Sequence, residues 1–62
     1  MYSDDLVKSA ESGDVNSMVL LAVAYMKGLG VPADSMKAVP WLEKAAELGS
    51  VSAQKALMSL FS

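Results

Sequence analysis

Seven carboxylates, five lysines, two tyrosines and several serines are the side chains of this 62-residue chain that could carry chemistry, for it contains neither Cys nor His. Without a thiolate or an imidazole base, the common zinc sites, disulfides and the Ser-His and Cys-His nucleophile systems are all absent. The carboxylates Asp4, Asp5, Glu43 and Glu47 are adjacent or helically spaced. Nothing in the sequence sets two of them in a dry cleft facing an acceptor, so solvated helix faces account for them and no metal site is expected. The stretch Gly28-x-Gly30-x-x-Ala33 has the outline of a dinucleotide fingerprint. That motif has to follow a strand, and here it follows a helical pattern, so no cofactor is expected. These residues point away from an enzyme.

The lysines and the acidic residues leave a formal net charge of -2 and are scattered along the chain. Phosphate neutralisation needs clustered cations, which argues against nucleic acid as a partner. The longest apolar run, Met18 to Met26, is nine residues, whereas a membrane span needs about 20. The start Met1-Tyr2-Ser3-Asp4-Asp5 is acidic where a secretory leader is basic, and a cytoplasmic location is expected.

Gly and Pro punctuate the chain at Gly13, at Gly28 to Pro32 and at Gly49, and the segments between them read as four helices, approximately 3–12, 14–27, 34–48 and 50–61, in one domain spanning 1–62. In the first, Tyr2, Leu6, Val7 and Ala10 fall at helical spacing. Asp14, Asp34 and Ser50 are candidate N-caps for the other three. Pro40 falls inside the third, where it removes the donor to the Met36 carbonyl and is expected to bend the helix. The five Met residues are expected to fill gaps in the core. No segment alternates with period two, so an all-α fold is predicted.

A displacement of 36 residues aligns Lys8 with Lys44, Ala10 with Ala46, Glu11 with Glu47, Gly13 with Gly49, Val15 with Val51 and Leu21 with Leu57, and sets Tyr25 on Phe61. A period of this length belongs to helix-pair solenoids, in which each pair buries its apolar face only against its neighbours.

The particular pattern is Tyr25, then Gly28-Leu29-Gly30-Val31, then Asp34, Lys37-Ala38, Trp41 and Lys44-Ala45-Ala46-Glu47, preceded by Ser17, Leu21 and Ala22 and closed by Gly49 and Ala53. It resembles the Sel-one-like repeat, a relative of the tetratricopeptide repeat. The resemblance implies a short α/α solenoid of four antiparallel helices, about one and three-quarter repeats, and a scaffold or interaction role. It assigns Trp41 to packing between helices. Ser17 departs from the family's usual Ala, and one complete repeat gives too short a concave surface to wrap a long peptide.

The second helix is apolar on almost every side, and four short helices cannot cover it completely. Once Met18, Leu21, Ala22 and Tyr25 are assigned to packing, Asn16, Val19, Val23, Met26 and Lys27 remain on an adjacent stripe, with Lys55 on the matching stripe of the fourth helix. These six residues are the predicted protein-binding site. The expected function is a non-enzymatic interaction module that binds a partner protein or a second copy of itself, as a homodimer or higher homo-oligomer. The alternative is a fragment or capping segment of a longer repeat scaffold with no binding activity of its own.

Overall fold

Ser3, Asp14, Asp34 and Ser50 each stand in extended backbone with the side-chain oxygen accepting from an N–H two or three residues on, and each starts a helix. The computed structural model describes all residues 1–62. Its four helices are α1 (Asp4–Glu11), α2 (Val15–Lys27), α3 (Ser35–Glu47) and α4 (Val51–Phe61). There is no strand, and each helix packs on the one before it. The fold is a short helical repeat solenoid.

The displacement of 36 residues is visible in the backbone. After α1, the Gly13 N–H donates to the Ala10 carbonyl and the Asp14 N–H to the Ser9 carbonyl, both at 3.1 Å. After α3, the Gly49 N–H donates to Ala46 and the Ser50 N–H to Ala45, both at 3.0 Å. Gly13 and Gly49 adopt φ of 104° and 99°. The same turn is therefore built twice, making α3 the counterpart of α1 and α4 the counterpart of α2.

The core is made of small residues and a few large ones. Ala10, Ala22, Ala38, Ala45 and Ala53 are fully buried, and Met18, Leu21 and Leu42 are the large side chains among them. Alanines let helix axes approach, and the long side chains fill what remains. Trp41 is half-buried against this cluster. The Cα envelope measures 28 × 23 × 13 Å, so each helix keeps one side in water.

Two details differ from the sequence expectation. Tyr2 is not in α1: Ser3 takes the cap position, Asp4 and Asp5 occupy the first turn where the helix dipole favours acids, and Tyr2 lies before them. Met18 alone among the methionines is fully buried, while Met1, Met36 and Met58 are 52%, 74% and 71% exposed. Pro40 lies inside α3, which runs on to Glu47. Pro40 and Met36 both lie on the exposed side of α3, where water can take the carbonyl bond that proline leaves unmade.

Candidate interaction surface

The turn from α2 to α3 is the most constrained part of the surface. Gly28 ends α2 in the left-handed region with its N–H on the Ala24 carbonyl at the C-cap, and the Asp34 N–H donates to the Tyr25 carbonyl at 2.8 Å. Tyr2 crosses this turn: its N–H donates to the Leu29 carbonyl at 2.8 Å. Its ring meets Tyr25 edge-on, with the centroids 5.7 Å apart, and Lys37 Nζ lies 5.9 Å from the Tyr25 centroid on α3. The neighbouring Tyr25 phenol holds the Tyr2 phenol above its ordinary range; Asp4 adds to this and Lys37 opposes it.

On α2 the repeat determines which side is covered by what. α4 rests on α3 through Ala53, Leu57 and Leu60, so by equivalence α2 rests on α1 through Ser17, Leu21 and Ala24. The opposite flank, Val15, Val19, Ala22 and Met26, has no neighbour left but α3. Ala22 is fully buried, and Val15, Val19 and Met26 are half-buried against the core. Between these two flanks a stripe at i, i+4, i+7 and i+11 stays open: Asn16, Leu20, Val23 and Lys27.

The six residues predicted from sequence therefore fall in three places. Asn16, Val23 and Lys27 share the open stripe, Asn16 and Lys27 being exposed and Val23 half-buried. Val19 and Met26 sit at its edge, turned toward the core. Lys55 is exposed on α4, away from the stripe. Sequence reasoning missed Leu20, which is 48% exposed and lies one turn from both Asn16 and Val23. The signal was present, since residues 16, 20, 23 and 27 trace one helical line.

Charge on this surface is sparse. Lys27 is the single charged residue of α2. No buried side-chain nitrogen or oxygen lacks a hydrogen-bond partner, the surface holds no pocket, and no three acidic side chains converge. No helix is long and apolar enough to cross a membrane. What the geometry offers is a shallow apolar strip, Leu20 and Val23, bounded by an amide and an ammonium group. Such a strip can bury apolar side chains of another chain and satisfy a few polar groups at its rim.

A model of the Sel1 repeat family matches residues 15–50, the span from the first residue of α2 to the cap of α4. No curated protein and no solved structure matches the chain.

Proposed function

Because the chain belongs to the Sel1 repeat family, whose members serve as protein–protein interaction modules, we propose that it acts in the cytoplasm as a non-enzymatic docking module, taking a partner protein on the open stripe of α2. The observation that carries this reading is Leu20, 48% exposed on a helix whose other two sides are closed by α1 and α3. A partner segment with two apolar side chains one helical turn apart matches Leu20 and Val23. Asn16 can bond to its backbone and Lys27 can receive an acidic residue at the edge. Val19 and Met26 support the strip from beneath, so their contribution is to its shape.

The test compares proteins captured by the wild-type chain with those captured by Leu20→Glu and Val23→Glu, followed by direct titration of any purified candidate. A charge in the strip should weaken that candidate's binding at least about tenfold, or roughly 1.4 kcal/mol, while leaving helicity unchanged. If no protein distinguishes the variants from wild type, the chain is a scaffold segment with no binding of its own and the reading fails.

A further inference from the structure

We propose that α1 is a lid on one flank of α2, hinged at Gly13 and latched at Tyr2, and that it opens as a unit while α2, α3 and α4 stay folded. This stands apart from the docking reading, because the lid opens whether or not a partner is present.

α1 is an abbreviated counterpart of α3. It has 8 residues where α3 has 13, and one fully buried residue, Ala10, where α3 has Ala38, Leu42 and Ala45. Under the displacement of 36 residues, Tyr2 stands where α3 has Ala38, and Leu6 where it has Leu42. Those two α3 residues are fully buried, whereas Tyr2 and Leu6 are half-buried. The outer side of α1 is Asp4, Asp5, Lys8 and Glu11, all exposed and all suited to water. Ala10 and the inner sides of Leu6 and Val7 are therefore a small apolar face for a helix too short to persist unaided.

Tyr2 takes over the task of the first turn that α1 lacks. Where α3 packs a helical Ala38, the non-helical Tyr2 gives its N–H to the Leu29 carbonyl at 2.8 Å and its ring to Tyr25. Gly30 makes the room, since a Cβ there would stand 3.2 Å from the Tyr2 nitrogen. Tyr25 and Leu29 are fixed independently of α1, because the Asp34 N–H closes the same turn on the Tyr25 carbonyl at 2.8 Å. The latch thus fastens the start of α1 to a part of the molecule that α3 already holds.

At the other end of α1, Gly13 adopts φ of 104° and has nothing within 4 Å of where a Cβ would stand, so its backbone can rotate without striking a neighbour. A helix of this length sets hinge and latch about 12 Å apart, at opposite ends of one arm. Beneath the arm lie Ser17, Leu21 and Ala24, at 9%, 1% and 0% exposure. Opening adds Leu21 and Ala24 to the strip of Leu20 and Val23, and so widens the apolar surface of α2.

Amide hydrogen exchange of the whole chain, followed residue by residue by NMR from zero to about 1 M urea, tests the lid. Amides from Val7 to Ser12 should be at least about tenfold less protected than those from Leu21 to Tyr25, and should depend less on urea, since opening one helix exposes less surface than unfolding. Tyr2→Ala should lower α1 protection about tenfold further, while Tyr2→Phe, which keeps the ring and the N–H, should stay within about twofold of wild type. Ala53→Gly, in α4, should lower α2 protection about tenfold and leave α1 protection unchanged, because α4 is folded with the lid open or closed. If that variant does not fold, the urea slopes of the wild-type chain decide the same question. The proposal is overturned by α1 amides that share the protection and urea slope of α2, by α1 protection that falls with α2 protection in Ala53→Gly, or by α1 protection unchanged in Tyr2→Ala.

Discussion

Tyr2 and Tyr25 meet edge to face, 5.7 Å between centroids and 63° between planes, although one precedes the first helix and the other ends the second. Aromatic pairs in this geometry contribute about 1 kcal/mol beyond the area they bury. With the Tyr2 N–H on the Leu29 carbonyl, the pair ties the start of the chain across the α2–α3 turn. Lys37 on the Tyr25 ring extends the tie to α3. Three segments of the chain are thereby held by two side-chain contacts and one backbone bond.

Gly30 should tolerate no side chain. It adopts φ of 89°, and a Cβ there would stand 3.2 Å from the Tyr2 nitrogen and 3.3 Å from the Tyr2 Cβ. Gly30→Ala should destabilise the fold by about 2 kcal/mol, combining the backbone strain with a displaced Tyr2. Gly13→Ala has a similar φ but nothing within 4 Å, and should cost about 1 kcal/mol. Thermal melting followed by circular dichroism separates the two, since 1 kcal/mol shifts the midpoint by about 4–8 °C in a domain of this size. In a Tyr2→Ala background the Gly30→Ala penalty should shrink, because the obstructed contact is already gone.

Alkaline pH should loosen the same corner. The folded chain holds the Tyr2 phenol above the ordinary value of 10.0, chiefly through Tyr25, so the protonated phenol is favoured by folding. The stability this supplies is complete below pH 10.0 and is lost as the pH rises through the raised value. Phenolate absorbance should titrate later in the native chain than in urea, and Tyr2→Phe should flatten the fall in stability above pH 10.0. A fall of the same steepness in Tyr2→Phe would assign the effect to another group.

Leu42 is fully exposed to packing forces and not at all to water, lying at 0% accessibility among Ala22, Ala38 and Ala45 in the core. Leu42→Ala should lower stability by about 3 kcal/mol, since alanine-rich surroundings have little side chain with which to refill the space. A domain this small has only a few kcal/mol in total, so the variant should be largely unfolded at room temperature by circular dichroism. Met36→Ala, at a position 74% exposed, should stay within about 0.5 kcal/mol of wild type.

The helices and their caps were readable because short-range chemistry decides them: Asp14, Asp34 and Ser50 accept the bonds expected of them, and positive-φ glycines stand at the ends predicted. Tyr2 stands at helical spacing to Leu6, yet the Ser3 hydroxyl between them caps the N-terminus of α1, so the helix begins only after Ser3. Leu20 escaped notice because a helix apolar on all sides gives no internal contrast, and its exposure follows only from where α1 and α3 lie. The exposure of Met36 and Met58 was equally hidden, since residue type carries no information about burial once there are too few helices to cover every apolar face.

The twin turns at Gly13-Asp14 and Gly49-Ser50 make residues 14–49 a cassette whose two ends have the same shape. A second cassette inserted after Gly49 meets at both junctions a turn the chain already forms, with no new loop to devise. Lengthening by whole cassettes therefore leaves the Tyr2 tie on one side of the insert and α4 on the other, and changes only how far apart they stand. The molecule can serve as a ruler graduated in units of one helix pair.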